Sequence, residues 1–264
     1  MGQRKLLLAF LLAILFFPLN VWPQQTRVFG TREVPTVDTR VIELTEEFAS
    51  SGLVTTGNIG THSWSIRNIG AAPTLAFQAG VFPNLGILRV TTPAVIVQGG
   101  NLALDSVAPL GILGANGNWD SSWVFRINQT ATIRFRIGYE PAGGTVAQPN
   151  DGLWLRFDTS AGFADANWQF CARAAAGAET CFNTGIAPTV AFHTVRIRSG
   201  NAGVIYFSLD GGTERCIAVA GCDANGALPA VALAPGMIVV SDLAVTARSA
   251  DVDFWGFVAI NLNR

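Results

Sequence analysis

Alternation of apolar and polar residues in the middle of the chain constrains the fold most. In the segment TIRFRIGYE at 132–140, isoleucine, phenylalanine and tyrosine occupy every second position. GLWLRFD at 152–158 and VRIRSG at 195–200 alternate in the same way. In an extended strand such a pattern places the apolar side chains on one face and the polar ones on the other. Two-faced strands are typical of antiparallel sheets, so the pattern predicts an all-β domain.

Turn residues separate these segments. The chain has 28 Gly and 12 Pro, and short β-type runs alternate with Gly, Pro, Asn and Asp from residue 41 onwards. The segment SLDGGTE predicts a hairpin turn at Asp210, Gly211 and Gly212, because glycine tolerates a positive φ. The Ala-rich segment ARAAAGAET at 172–180 is interpreted as the tip of a hairpin and not as a helix. The predicted strands are 41–44, 62–67, 74–79, 86–91, 121–128, 131–139, 152–158, 167–173, 189–198, 203–209, 237–248 and 251–260.

The N-terminal segment is typical of export. Arg4 and Lys5 precede an apolar run at 6–17, and Pro18 interrupts it. The run is shorter than the roughly 20 residues that a membrane span needs. The small residues expected before a cleavage site are missing from 21–25, so both a cleaved signal peptide and an uncleaved signal anchor fit the sequence. Either predicts a secreted, periplasmic or extracellular protein that contacts a membrane only through an uncleaved anchor.

The composition favours one globular domain. Half of the residues are hydrophobic and 13% are charged, which argues against disorder. We predict a signal peptide or signal anchor at 1–25, a polar linker at 26–39 and one β-sandwich domain at 40–264. The formal net charge is -1 and no basic cluster occurs, so no nucleic-acid partner is predicted. Lys5 is the single lysine, which we interpret as the codon bias of a GC-rich, bacterial genome.

Four cysteines are expected to form disulfides in an exported chain, and three pairings are formally possible. Proximity favours Cys171 with Cys181 and Cys216 with Cys222. Each pair closes a short loop and would contribute about 2–3 kcal/mol in the chain-entropy model. Four free thiols are the alternative. Because there is no C-x-x-C spacing and the two histidines are far apart in sequence, no metal or other cofactor is predicted.

A series of segments from about residue 45 to the end carries a family resemblance through its spacing of aromatic, arginine and turn positions. The segments are EEFASSGLVTTGNIGTHSWSI, WVFRI, RFRIGYE, GLWLRFDTS, NWQF, VRIRSGNAGVIYFSLDGG and DVDFWGF. Their order resembles the concanavalin A-like lectin/glucanase superfamily, in particular the lectin-like modules of phage tail proteins and secreted bacterial proteins. The resemblance implies an antiparallel jelly-roll β-sandwich. It leaves function open, because this superfold hosts lectins, hydrolases and structural modules.

Catalytic motifs are absent from the sequence. Glucanases of this superfold carry E-x-D-x-x-E on one strand, which holds two carboxyl groups about 5–5.5 Å apart for a retaining mechanism. ELTEE at 43–47 lacks that spacing, and the resemblance places Asp251 and Asp253 on the last strand, where structural hydrogen bonding is expected. There is no G-x-S-x-G motif, and His62 and His193 are interpreted as strand residues. We therefore expect no enzymatic activity.

The polar faces of the alternating strands are the candidate binding surface. If these strands are neighbours, their guanidinium groups, carboxylates and indole could hold sugar hydroxyls or an acidic saccharide. The candidate ligand-binding residues are Arg134, Arg136, Trp154, Arg156, Asp158 and Arg198, with Glu140 and Arg196 in the same pattern. An ordinary solvated face with cross-strand ion pairs is the alternative.

Tryptophan and loop residues add two smaller expectations. Trp119 and Trp154 are predicted to be exposed for stacking, whereas the other tryptophans that lie inside hydrophobic strand patterns are predicted to be core: Trp64, Trp123, Trp168 and Trp255. The loop DTSAGFADANW at 158–168 offers oxygen ligands of the kind that calcium prefers, and a polar turn is the alternative.

Taken together, the sequence predicts an exported, non-catalytic recognition module for extracellular or surface glycan. A structural, self-assembling or adhesion protein of a surface layer, filament or virion-like particle is one alternative. An unrecognised glycoside hydrolase or lyase is the other.

Overall fold

The computed structural model describes residues 41–48, 59–81, 83–104, 118–141, 147–200, 203–242 and 246–260. All regular elements in these ranges are strands. The predicted signal segment at 1–25 and linker at 26–39 lie outside the described residues. Residues Asp38–Arg264 form a compact unit by their contacts. Within the described ranges no helix is long and apolar enough to cross a membrane.

Sixteen strands build the described part of the domain. They are β1 (Val41–Glu46), β2 (Ser65–Ile69), β3 (Thr74–Val81), β4 (Asn84–Thr91), β5 (Gln98–Ala103), β6 (Asn118–Ile127), β7 (Ile133–Glu140), β8 (Gly152–Asp158), β9 (Gln169–Arg173), β10 (Thr180–Asn183), β11 (His193–Gly200), β12 (Val204–Leu209), β13 (Arg215–Ala218), β14 (Ala224–Asn225), β15 (Ala234–Ser241) and β16 (Ser249–Ile260).

The strands form two sheets. The nine-stranded sheet has the order β14-β13-β12-β11-β6-β16-β4-β3, and β1 pairs with the second half of β16. The seven-stranded sheet has the order β10-β9-β8-β7-β15-β5-β2. All pairs are antiparallel except β13 with β14. Strands distant in sequence, such as β6 and β16, are neighbours because the chain crosses repeatedly between the sheets. This is the predicted all-β jelly-roll sandwich.

Aromatic side chains join the two sheets in one core. The rings of Phe125 on β6 and Phe135 on β7 stack with their centroids 5.3 Å apart. Phe170 on β9 and Phe207 on β12 stack at 5.1 Å. Because the inward positions of both sheets are apolar, the alternation seen in the sequence supplies this core directly. The four tryptophans predicted to be core are fully buried, which confirms that prediction.

The two tryptophans predicted to be exposed are buried, so that prediction is wrong. Trp119 is 5% exposed because it points into the core against Tyr139, at 5.3 Å between ring centroids. Trp154 points away from the core but is only 1% exposed. Its indole Nε1 donates to Glu179 Oε1 at 2.7 Å, in the segment before β10 that crosses this face.

Some turns and strand ends match the predictions, but β11 begins at residue 193 and not at 189, and β15 spans Ala234–Ser241 and not 237–248. Strand β8 has the predicted bounds, and Asp210 and Gly211 adopt positive φ in the predicted turn after β12. The strand predicted at 62–67 begins instead at Ser65. His62 lies in the preceding turn, because the carboxylate of Glu46 accepts the backbone N–H groups of Thr61 and His62 at 2.6 and 3.1 Å. His193 is a strand residue as predicted, at the first position of β11.

Both favoured disulfides are present. Cys171 and Cys181 are bonded and lie directly opposite each other on β9 and β10. Cys216 on β13 is bonded to Cys222 in the following turn. Each bond joins residues that are close in sequence, so its effect is to fix local register. The Ala-rich segment between Cys171 and Cys181 is the tip of a hairpin, as predicted.

Candidate functional site

Five of the six candidate ligand-binding residues lie on the outer face of the seven-stranded sheet. Arg134 and Arg136 are on β7, next to Asp158 and Arg156 on β8, and Trp154 lies opposite Gly138. The inward residues between them pack in the core, so alternation turns these five side chains outward.

Arg198 lies elsewhere. It is on the outward side of β11, in the nine-stranded sheet, so the sandwich separates it from the other five residues. The assumption that the alternating strands are neighbours therefore holds for β7 and β8 and is wrong for β11. The physical reason is the jelly-roll crossing, which sends β11 to pair with β6 and β12.

A network that we call the buried arginine cluster occupies the outer face of β7 and β8. Its members are Arg136, Arg156, Asp158, Asp165 and Glu179, each with a side chain no more than 7% exposed. The cluster holds two guanidinium groups against three carboxylates. Buried charges are stable only when paired and hydrogen-bonded. Every member of this cluster has a charged partner, although Nε of Arg136 has no hydrogen-bond partner among the described residues.

Arg156 makes the strongest pairs in the cluster. Its Nε and Nη2 donate to the two carboxylate oxygens of Asp165, each at 2.9 Å, and its Nη1 donates to Glu179. The ring of Phe163 lies 4.2 Å from its guanidinium carbon. Burial opposes the charge of Arg156, but the bonds to Asp165 and the charge of Glu179 outweigh it and raise its pKa.

Arg136 ties the cluster to the connection between β7 and β8. Its Nη1 donates to the backbone oxygen of Ala147 at 2.8 Å, and its Nη2 donates to Asp158 at 3.3 Å. Burial lowers the pKa of Arg136, against the charges of Glu179 and Asp158. The other oxygen of Asp158 accepts from the backbone N–H and hydroxyl of Ser160, at 3.0 and 2.6 Å.

The loop at 158–168 forms a salt-bridged turn. Both oxygens of Asp165 bind Arg156, and one of them also accepts the backbone N–H of Asp158 at 3.0 Å. These contacts match the polar-turn alternative to the calcium hypothesis. Sequence reasoning did not connect Asp165 or Glu179 with Arg156. A usable signal was the Cys171–Cys181 pairing, since Cys171 lies opposite Trp154 and brings the segment before β10 to this face.

A small, partly open cavity lies beside the cluster, between β7, β8 and β15. Gly138 and Gly236 are paired across β7 and β15, so neither strand places a side chain there. The walls include Arg136, Glu140 and Trp154, and the space is about 170 Å3 including its open mouth. A Cβ atom on Gly236 would lie 2.7 Å from Glu140 Oε1. Gly236 therefore leaves this space without a side chain, whereas a Cβ atom on Gly138 would meet the backbone oxygen of Leu153 at 2.3 Å.

A second group of charges, which we call the exposed ion-pair cluster, lies on the outer face of the nine-stranded sheet. Its members are Arg196, Arg198, Asp120 and Glu214, with side chains 28–46% exposed. Arg196 Nε donates to both carboxylate oxygens of Asp120, at 2.9 and 3.0 Å. Arg198 Nε donates to Glu214 at 2.7 Å, and its guanidinium lies 4.1 Å from the Tyr206 ring. This face matches the solvated alternative.

Comparison with known proteins identifies the fold. No protein-family model matches the sequence, and no curated protein matches it. Among solved structures, a protein of unknown function from Shewanella oneidensis MR-1 is similar over 85% of this chain and 89% of its own, with a TM-score of 0.59 and 14% identity. Peanut lectin is similar over 85% of this chain and 100% of its own, with a TM-score of 0.51 and 11% identity.

A protein described as an immunostimulatory antigen and pseudo beta-1,3-glucanase of Mycobacterium tuberculosis is similar over 81% of this chain and 97% of its own, with a TM-score of 0.51 and 11% identity. The chain has the lectin/glucanase jelly-roll fold. At these identities the likeness establishes the fold alone, and any function has to be argued from the chain's own residues.

Within this lectin/glucanase jelly roll, the acids of the last strand have structural roles, as predicted. Asp251 is fully buried and accepts hydrogen bonds from Arg89, Arg126 and Asn128 at 2.7–3.1 Å. Burial raises the pKa of Asp251, but the bonds from Arg89 and Arg126 outweigh it and hold this pKa below its ordinary value. Asp253 accepts from the Asn84 side chain at 2.8 Å.

Proposed function

We propose that the protein is an exported, non-catalytic recognition module that binds extracellular or surface glycan at the Gly138–Gly236 cavity. The observation that carries this proposal is the chemistry of the cavity wall. Arg136, Glu140 and Trp154 line one small space beside Gly138 and Gly236. A few convergent polar groups beside aromatic surface are characteristic of small-molecule sites, and guanidinium and carboxylate groups bind hydroxyls well.

The size of the cavity limits what it can hold. Its enclosed part is about 10 Å3, room for about one water-sized group, whereas ordinary ligand pockets have roughly 300–1,000 Å3. We therefore infer that it receives a single small group of a saccharide, such as one hydroxyl, while the rest of the sugar lies across the rim. Arg136 and Trp154 contact the ligand in this proposal. Arg156 and Asp158 hold the cluster behind them, and Arg134 lies along the same strand, paired with Asp242 at 2.6 Å.

The pairing of the acids on this face supports a non-catalytic role. A retaining glycosidase needs one carboxyl group to donate a proton and a second to attack the sugar. Asp158, Asp165 and Glu179 instead accept hydrogen bonds from the guanidinium groups of the buried arginine cluster. Their oxygens are committed to holding the face together.

A glycan array with the purified protein tests the proposal, with Gly236→Ala as the informative variant. The added methyl group enters the cavity without changing charge. We expect selective binding by the wild type and a loss of about tenfold or more in Gly236→Ala, which is about 1.4 kcal/mol. Gly256→Ala on β16 is the matched control, since its methyl group would also meet only side chains, those of Phe254 at 2.9 Å and Ser122 at 3.6 Å.

Two results would overturn the proposal. If the wild type binds no glycan on the array, or if Gly236→Ala and wild type bind equally well, the cavity is not a glycan-binding site. Release of sugar from a bound polysaccharide would contradict the non-catalytic part.

Self-assembly is a second candidate function, favoured by the edge of the nine-stranded sheet. Strand β3, TLAFQAGV, pairs with β4 on one side and has no other neighbour among the described strands. It carries no charged residue or proline, the devices that commonly protect such edges. Light scattering of the wild type and Ala76→Lys tests this: concentration-dependent association that the lysine abolishes would support it, and a monomer at all concentrations would exclude it.

A further inference from the structure

A hydrogen-bonded chain of hydroxyl, imidazole and carboxylate lies at one end of β11, outside the proposed glycan site. Thr189 Oγ1 is 2.9 Å from His193 Nε2, and His193 Nδ1 is 2.7 Å from Asp210 Oδ2. The three residues come from the segment before β11, the first residue of β11 and the turn after β12. His193 and Asp210 are 17 residues apart and form no recognisable sequence motif.

The carboxylate fixes the direction of the hydrogen bonds. An ionised Asp210 can only accept, so Nδ1 of His193 is the donor in this bond, and in the neutral imidazole the lone pair is then at Nε2. The hydroxyl of Thr189 then donates to Nε2. This is the order of donors and acceptors in which a histidine acts as the base that activates a nucleophilic hydroxyl.

The imidazole and the carboxylate are held in place. His193 is 6% exposed and lies against Trp168 and Phe125, with ring centroids 5.6 and 6.0 Å away. The second oxygen of Asp210 accepts the backbone N–H of Thr194 at 2.8 Å, and the N–H of Asp210 donates to the Thr194 carbonyl at 2.7 Å. The base and its partner are therefore positioned before any substrate arrives.

The hydroxyl, by contrast, is accessible and has apolar neighbours. Thr189 is exposed, and the nearby side chains of Ile186 and Val190 are 39% and 55% exposed. Single aliphatic side chains are ordinary on a protein surface, and these two give the surroundings of Thr189 an apolar character. They suit the acyl part of a small apolar ester better than a sugar.

We propose that Thr189 is a nucleophilic hydroxyl that accepts an acyl group from a small apolar ester, with His193 as general base and Asp210 as its positioning residue. The Thr189 oxygen forms a bond to the ester carbonyl carbon while its proton moves to His193 Nε2. The carbon–oxygen bond to the leaving alcohol then breaks, and the alcohol takes the proton from His193. The product is an acyl-threonine, and the step needs no further reactant. This activity is independent of glycan binding.

Acetylation of the full chain by p-nitrophenyl acetate, followed by peptide mass mapping, tests the proposal. The background is low because Lys5 is the single lysine. We expect one acetyl group on Thr189. Asp210→Asn should slow its formation about 100-fold or more, since general-base catalysis contributes that much. Asparagine keeps an oxygen for the Thr194 N–H and tolerates the φ of 52° at this position, so the fold should persist.

Variants at threonine positions distinguish activation of the Thr189 hydroxyl by His193 from simple exposure of a hydroxyl to the reagent. Thr189→Ser should retain acetylation at residue 189, and Thr189→Val should lose it. Thr184→Val is the matched control, because the Thr184 hydroxyl donates to the backbone oxygen of Trp168 at 2.8 Å and has no imidazole partner. Absence of acetyl-Thr189 in the wild type, or an unchanged rate in Asp210→Asn, would overturn the proposal.

Discussion

The buried arginine cluster and the exposed ion-pair cluster are built from the same residue types and differ in what covers them. On the seven-stranded sheet the side chain of Arg156 is 7% exposed, and on the nine-stranded sheet that of Arg196 is 46% exposed. Both guanidinium groups contact both oxygens of an aspartate. The comparison teaches that the pairing alone does not decide the role of these arginines. Burial makes one cluster structural and leaves the other exchangeable with solvent.

The largest effect on the free energy of unfolding is expected for a substitution in the buried arginine cluster. Arg156→Met keeps the apolar stem and removes the charge, which leaves Asp165 and Glu179 buried without their partner. We expect the free energy of unfolding to fall by about 3–5 kcal/mol, measured by urea denaturation. A loss below about 1 kcal/mol would mean that solvent reaches this cluster as freely as the exposed one.

An intermediate effect is expected for a buried carboxylate on the nine-stranded sheet. Asp251→Asn weakens the bonds to Arg89 and Arg126 and should cost about 2 kcal/mol at neutral pH, as expected for hydrogen bonds to charged groups. Because the folded-state pKa of Asp251 is lowered, this stability is present above the unfolded pKa of about 3.9 and is lost as pH falls through the folded pKa.

Urea denaturation from pH 7 to pH 2 checks the sign. The difference between wild type and Asp251→Asn should shrink at acid pH. A difference that stays constant would show that the charge of Asp251 is not what stabilises the fold. Comparison of Asp251→Asn with Arg156→Met also shows whether the loss of stability depends on burial of the residue or on which sheet carries it.

A smaller effect is expected in the exposed cluster. Arg196→Met removes the pair with Asp120, whose side chain is 39% exposed. We expect a loss of less than about 1 kcal/mol, and less still at high salt, because solvent screens such pairs. The measurement is urea denaturation at low and high ionic strength. If the free energy of unfolding fell as much as in Arg156→Met, independently of salt, the two clusters would not differ in their contribution to stability.

The smallest effect is local to Glu214. Its bonds from Arg198 lower its pKa, so Arg198→Met should move that pKa upward toward its ordinary value with little change in stability. Carboxyl chemical shifts during an NMR titration report this directly. An unchanged pKa would mean that the Arg198–Glu214 contact is not populated in solution.

The sequence predicted the sandwich well because alternation and turn residues report which face of a strand is apolar. It missed the short strands β10, β13 and β14. It also missed β5, whose segment QGGNLA resembles a turn. Gly99 is required there by close packing of strands, since a Cβ atom on it would lie 2.0 Å from the backbone oxygen of Val239. Glycine in a strand and glycine in a turn are indistinguishable in one sequence.

The candidate site was predicted less completely. Alternation correctly turned the polar residues of β7 and β8 outward, but it cannot show which loops cover a face. Glu179 and Asp165 come from such loops: Glu179 covers Trp154, and Asp165 binds Arg156. Separation of Arg198 from the other candidates depends on sheet order, which is set by pairings between distant segments.

The most direct test of the central claim, that ligand binds beside the buried cluster and not on the exposed one, is an NMR titration with a glycan selected on the array. The indole N–H of Trp154 and the Nε–H of Arg136 report on one face, and the Nε–H groups of Arg196 and Arg198 report on the other. We predict that the first two signals shift on binding while the last two stay fixed. Shifts confined to Arg196 and Arg198 would contradict the account.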